Sequence, residues 1–352
     1  MRAGSFFVLR LKSSVICSIR KAGGLMTSEV VIMNKLGMAL AADSAITSGR
    51  DGVQKVYHSA NKLFSLSKNH PVGIMVYGAA SFMEVPWDVI IKTYRDHLGD
   101  KTFAEVSYYV EDLLDFLRQD ERFRKESLEE IIIYRTFSDL LKDIIRDVED
   151  DLYQAEENGP EDDTVTRLLT RHIENQISAF KQKKEEFIDI DYEAFKSRFH
   201  TIIQEIKEEV IVYDVPVELD ERLSILAYEA IKKDYFSVGS TGLVVAGYGE
   251  DAIFPHLVNI RLEGFVFGQL KYKKIKEKKI SYSPGTESGT AVIVPFAQRE
   301  MVDSFMYGIE PLMEETIFGI FDKVLERYHE QIEKNLDIAF TEKQVNDLKK
   351  SG

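Results

Sequence analysis

The chain has 352 residues, 44% of them apolar and 30% charged, which is an ordinary globular mixture and enough to build a sizeable core. A net charge of -14, from 59 acidic against 45 basic residues, repels phosphate backbones and argues against nucleic acid as a partner. No run approaches the roughly 18 apolar residues of a membrane span, and the single cysteine, Cys17, makes no internal disulfide and no zinc cluster, which fits a reducing cytoplasm.

Residues 1–26 read as an N-terminal extension, either a propeptide or a mis-assigned start. The first 25 carry five basic residues (Arg2, Arg10, Lys12, Arg20 and Lys21) and no acidic one, and Arg10 and Lys12 break the apolar run that a secretory signal needs. Ala22-Gly23-Gly24-Leu25 is encodable by a purine-rich ribosome-binding stretch, which makes synthesis from Met26 the alternative to a cleaved propeptide.

From Thr27 the pattern is β-rich. Ser28 to Asn34 and Met38 to Ala42 read as a hairpin around Lys35-Leu36-Gly37. Lys62 to Ser67 and Val72 to Tyr77 read as two further strands, followed by the small residues Gly78-Ala79-Ala80. Met83 to Asp234 reads as helical: Phe195, Phe199, Ile202, Ile203, Ile206 and Val210 recur at helical spacing, as do Leu219, Leu223, Leu226, Ala227, Ala230 and Ile231. Asn158 to Asp163 is a turn or linker, and its acidic run is a solvated loop. Strands return at Gly242 to Gly247, His256 to Leu262, Phe265 to Lys273 and Ala291 to Val294; Gln298 to Tyr307 and Glu310 to Ile338 read as helices. Strands, then helices, then strands, then helices, without alternation, predicts an α+β fold. The expected organisation is a discontinuous domain over 27–82 and 239–340, an acidic helical insertion over 83–238 that projects from it, and a polar tail over 341–352.

Candidate chemistry centres on Thr27. With Met26 removed, its hydroxyl and α-amine share one residue, and an N-terminal amine is a ready base for a neighbouring hydroxyl. A lysine ammonium nearby lowers the amine's pKa toward the working pH, and a carboxylate holds that lysine. Asp43 ends the second strand, and the hairpin returns it toward Thr27; Lys62 opens the third. Asp43 alone reads equally as a turn carboxylate, Lys62 as a solvated edge lysine, and Gly78-Ala79-Ala80 as tight packing. The seven histidines form no metal-ligand spacing, and neither a Gly-x-Ser-x-Gly elbow nor a phosphate loop is present. No metal and no cofactor is expected.

This ordered set resembles the proteasome β-subunits and the related bacterial proteasome-like protease, within the N-terminal-nucleophile hydrolases. Thr27 stands 16 residues before Asp43, in Ala41-Ala42-Asp43-Ser44. Lys62 opens the next strand, and Gly73 to Ala80 ends in the family's small-residue turn. Leu243 to Tyr248 followed by Pro255 to Ile260 is similar to its later strand pair. The likeness spans about 27–82 well and 240–310 loosely. Ala45 stands where the family often has Arg, Tyr77-Gly78 where it has Gly-Gly, Ser81 where it often has an acid, and Met26 where self-cleaving relatives have Gly. The Gly-Ser-Gly turn finds its nearest counterpart in Ser283 to Thr290. The resemblance implies a four-layer α-β-β-α sandwich, a peptide or protein substrate, assembly of like subunits and an unfoldase or other protein partner. It makes Thr27 the nucleophile, Asp43 and Lys62 its tuning residues, Tyr77 or Gly78 the oxyanion donor, and Thr47 part of the segment that pairs with substrate backbone. Two alternatives stand beside it: an amidase of small amides, and a catalytically silent scaffold that binds a partner through the insertion.

Overall fold

The structure, a computed structural model, describes residues 28–42, 46–50, 53–57, 61–155, 164–213, 215–282, 289–297 and 308–321, with 304, 306 and 324. Residues 1–27 and the linker expected at Asn158 to Asp163 lie outside the described residues, as do most of the two C-terminal helical segments and the tail.

The fold is mixed α+β, and its sheets are built from antiparallel pairs. Strands β1 (Ser28–Asn34) and β2 (Gly37–Ala42) form the expected hairpin. Asn34 makes its turn, accepting the Leu36 and Gly37 N–H groups on Oδ1 at 2.8 and 3.1 Å. Strands β3 (Ile46–Arg50) and β4 (Val53–Tyr57) form a second hairpin with Thr47 opposite Val56. The sequence did not announce it, because Thr47-Ser48-Gly49-Arg50 carries no apolar alternation. Next come β5 (Leu63–Ser65) and β6 (Val72–Gly78), then a minimal hairpin of β7 (Ser81–Phe82) and β8 (Val85–Pro86).

Six helices follow: α1 (Trp87–Leu98), α2 (Val106–Gln119), α3 (Glu126–Ala155), α4 (Thr164–Gln182), α5 (Tyr192–Val210) and α6 (Leu219–Lys232). Strands β9 (Thr241–Gly247), β10 (His256–Val266), β11 (Gln269–Lys279) and β12 (Ala291–Ala297) complete the described strands. The two larger sheets run β12–β1–β2 and β11–β10–β9–β6–β5, and β3–β4 and β7–β8 each form a two-stranded sheet of their own.

The break expected at Glu263-Gly264 is a register irregularity inside one strand: β10 runs on to Val266. A Cβ at Gly264 would lie 2.7 Å from Ile132 Cδ1, so this residue is small because α3 crosses there. The true turn is Phe267-Gly268, with φ of 50° and 67°, the left-handed pair that a two-residue hairpin turn requires. Strand β11 also extends through the charged run Lys273 to Lys279, which apolar alternation could not reveal.

By contacts the chain divides into two compact units, 1–27 with 31–294, and 28–30 with 295–352. In the first, the five-stranded sheet is covered on both faces. Val72, Ile74 and Val76 of β6, with Leu243 and Val245 of β9 and Val258, Ile260 and Leu262 of β10, join one core with the helices. The alternate residue Gly73 faces β2, where a Cβ would lie 3.8 Å from Leu40 Cδ2. Helix α2 packs on β9 and β10, and α3 on β10; α4, α5 and α6 pack on α3. The insertion therefore lies on the sheet instead of projecting, because the apolar face of β6, β9 and β10 needs a cover. Phe82 joins these layers, its ring 5.4 Å from Trp87, 5.3 Å from Phe123 and 6.1 Å from Phe265. In the second unit, residues 311–321 are helical, and Glu310 Oε2 caps their start by accepting the Met313 N–H at 2.8 Å.

Candidate active site

The turn that ends β6 is held from three sides. Gly78 has φ 79°, and a Cβ there would lie 2.6 Å from the Ser240 carbonyl oxygen, so glycine is required both by conformation and by space. The Ala79 N–H donates to that same carbonyl at 3.2 Å. The Trp87 N–H donates to Ala80 O at 3.1 Å, which ties the start of α1 to the turn. Thr241 Oγ1 donates to Ala79 O at 3.3 Å and accepts from Trp87 Nε1 at 3.0 Å. Tyr77 lies with its ring over Gly242, where a Cβ would be 1.9 Å from the ring, and its hydroxyl donates to Asn259 Oδ1 at 3.0 Å.

Lys62 is buried beside this turn in the ladder. Its carbonyl accepts the Val76 N–H at 2.8 Å, next to the pairing of Leu63 with Met75. Of the residues singled out in the sequence, the structure thus brings Lys62, Tyr77 and Gly78 to one end of β5 and β6. Thr27 and Asp43 lie outside the described residues. In sequence they flank the described hairpin directly, since β1 begins at Ser28 and β2 ends at Ala42. Thr47 is on β3, which pairs with β4 in a two-stranded sheet separate from that of β5 and β6; its side chain lies outside the described residues.

Sequence reasoning missed the residues that hold the turn: Trp87, Ser240, Thr241, Asn259 and Arg261. The one signal for them was the run of small residues Gly239-Ser240-Thr241-Gly242, which marks a close backbone approach. Behind the turn lies a buried polar layer. Glu263 accepts the Ser237 N–H at 2.8 Å and also the Ser237 hydroxyl, and burial pushes its carboxyl pKa up. Lys271 donates to Ala230 O at 2.8 Å and Tyr235 O at 2.7 Å, and burial pushes its ammonium down to about 7.

At the opposite end of the same sheet, where β9 ends and β10 begins, is a cavity of about 380 Å³. Apolar Ala252, Phe254 and Ile280 line it, and a Lys279–Glu105 ion pair of 2.7 Å stands at its wall. His256 is buried there with Nε2 2.9 Å from Glu277 Oε1; burial is the main cause that lowers its pKa, and Lys279 adds to it. Among the described residues no group of three or more His, Cys, Asp or Glu is placed to hold a metal ion, and no helix is long and apolar enough to cross a membrane. Compared with protein families, with curated proteins and with solved structures, the chain finds no match.

Proposed function

We propose that the protein is an amide hydrolase with an N-terminal threonine nucleophile, acting on peptides in the manner of the proteasome β-subunits. The observation that carries this reading is the pairing of β5 with β6. It sets Lys62 opposite Val76, one residue before Tyr77 and two before the left-handed Gly78, while the β1–β2 hairpin has strands that start one residue after Thr27 and stop one residue before Asp43. The reading needs a nucleophile just before β1, a carboxylate just after β2 and a lysine close to both; Lys62 stands one residue before β5, with the β3–β4 hairpin between it and β2 in the chain.

In this reaction Thr27 Oγ1 attacks the amide carbon, and the Thr27 α-amine takes the hydroxyl proton. The C–N bond breaks as that proton passes to the leaving amine, which leaves an ester on Thr27. Water, activated by the same amine, cleaves the ester and restores the hydroxyl. The ammonium of Lys62, held by Asp43, keeps the amine unprotonated near neutral pH. Backbone N–H groups at Tyr77 or Gly78 stabilise the oxyanion, a contribution of roughly 3–4 kcal/mol per donor. The Ala79 N–H is committed to Ser240 O, and Tyr77, two residues earlier, faces Gly242 on that same side of β6; the Gly78 N–H points to the other side, in phase with Val76, so of the two nominees Gly78 is the stronger.

The four-layer α-β-β-α architecture, a cytoplasmic location and self-association of like subunits go with this reading. Its supports in the fold are the antiparallel sheets and the helix layer over β6, β9 and β10. The scaffold alternative drew on the stripes of the insertion helices, and Phe195, Phe199, Ile203, Leu223, Leu226 and Ala230 are buried in the protein's own core.

Intact-mass analysis of protein purified from its native cell tests the starting point: the mature chain is expected to begin at Thr27. Thr27→Ala is then expected to lower hydrolysis of peptide amides by about a thousandfold or more with the fold intact. A mature chain that keeps Met26, or a Thr27→Ala protein that retains its activity, overturns the reading.

A further inference from the structure

We propose that the helical insertion acts as a brace for the turn at 78–80: Thr136 and Asp139 of α3 fix the segment 237–240, and that segment fixes Gly78 and Ala79. The role given to the turn rests on the reading of Tyr77 and Gly78 as oxyanion donors.

Strands β6 and β9 pair up to Gly78 opposite Thr241 and then part. The end of a strand pair is where backbone frays first, yet an oxyanion donor must not move. Here the fraying end is clamped through Ser240. Its carbonyl holds the Ala79 N–H, and its own N–H and Oγ both donate to Ser237 O, at 3.1 and 2.7 Å. Arg261 reaches both residues, donating from Nε to Ser240 Oγ at 2.7 Å and from a terminal nitrogen to Ser237 O at 3.2 Å.

Helix α3 then secures the segment. Asp139 Oδ2 accepts the Val238 N–H at 2.9 Å. Thr136 Oγ1 donates at 3.3 Å to Glu263 Oε1, the carboxylate that binds Ser237. Gly239 packs against Arg135, where a Cβ would lie 3.3 Å from Cδ. Arg135 also holds Glu84, in the turn between β7 and β8 that follows Ala80, at 2.8 Å. One face of α3 thus grips the chain on both sides of the turn. Thr136, Ser237, Ser240 and Glu263 are all buried, so water does not compete for these bonds.

Asp139, Arg135, Arg261 and Ser240 are positioning residues in this scheme. The test uses the full mature chain beginning at Thr27, with two readouts. The first is acylation of Thr27 by a peptidyl β-lactone. The hydroxyl attacks the lactone carbonyl, the ring C–O bond breaks, the freed oxygen takes the proton, and the mass rises by the whole reagent. The second is hydrogen exchange of the Ala79 amide. Asp139→Ala is expected to cut the maximal acylation rate about tenfold at unchanged reagent affinity, and to speed Ala79 exchange by a similar factor. Asp139→Asn keeps an acceptor oxygen for Val238 and is expected to restore both. Arg261→Met breaks the same path from the other side and serves if Asp139→Ala fails to fold. Exchange at Ala79 within twofold of wild type in the folded variants overturns the brace. A wild-type chain with free Thr27 that the lactone does not acylate overturns the catalytic reading instead, and exchange at Ala79 still decides the brace.

Discussion

At the scale of single residues, the turn works by contact between groups too close to tolerate one more carbon. Gly242 lies under the Tyr77 ring, so its missing Cβ is the space the ring occupies. Gly242→Ala must therefore push Tyr77 off its site and break the bond to Asn259. Overpacking of this kind costs about 1–3 kcal/mol, and loss of the hydrogen bond adds about 1 kcal/mol. The two residues must also be coupled. In a Tyr77→Ala background the ring is gone, and Gly242→Ala is expected to cost less than 1 kcal/mol, as at an ordinary strand position. Urea unfolding of the four proteins in this cycle checks it; equal penalties in both backgrounds would mean that the ring does not fill that space.

At the scale of elements, the β10–β11 hairpin shows how the insertion and the sheet depend on each other. Its turn puts Phe267 in the left-handed region, which an aromatic residue rarely adopts. The turn is held by Glu129 of α3, which accepts the Phe267 N–H at 2.9 Å and the Gly268 N–H at 3.1 Å. Arg198 of α5 forms an ion pair with Glu129, 2.9 Å from its Oε2, and its guanidinium lies 4.9 Å from the Phe267 ring centre. Glu129→Ala leaves two N–H groups and a guanidinium without their carboxylate and is expected to cost about 3 kcal/mol in chemical denaturation. Glu129→Gln keeps one acceptor oxygen and is expected to cost about half as much. Equal losses would show that charge, and not the turn contact, matters. The same hairpin marks the limit of what was legible. Strands with apolar alternation or buried runs, such as β1, β6 and β9, stood out in the sequence, as did the stripes of α5 and α6. The Glu129 contact joins residues 138 positions apart and leaves no local trace. The sequence carries this strand only to Lys273; its continuation through Lys279 is charged and shows as strand only once its partner β10 is known. In the site, the spacing of Lys62 and Gly78 was legible because it is local to two adjacent strands. Ser240 and Arg261 were not, because their role arises from tertiary contact.

At the scale of the larger unit, the helices and the five-stranded sheet form one hydrophobic core, and this decides whether the insertion is separable. Val72, Ile74, Val76, Leu243, Val245, Val258, Ile260, Leu262 and Phe265 belong to the same cluster as Tyr94, Tyr109, Leu113, Ile133 and Phe137. An insertion that was merely attached would keep its apolar stripe to itself and leave the sheet covered by other elements. Here the stripe of α2 covers β9 and β10, and α4, α5 and α6 in turn cover α3. Replacing residues 83–238 by a short Gly-Ser linker would expose all nine of those strand side chains. At roughly 1.5–3 kcal/mol for each large apolar side chain moved into water, the loss for nine is about 13–27 kcal/mol, which matches or exceeds the upper end of the 5–15 kcal/mol that a domain of this kind has in hand. The shortened chain is therefore expected to be insoluble or to lack a cooperative urea transition, whatever the state of its N-terminus. A soluble, cooperatively folding product would mean that the strands find another cover, and the insertion would then be a module added to a domain that stands without it.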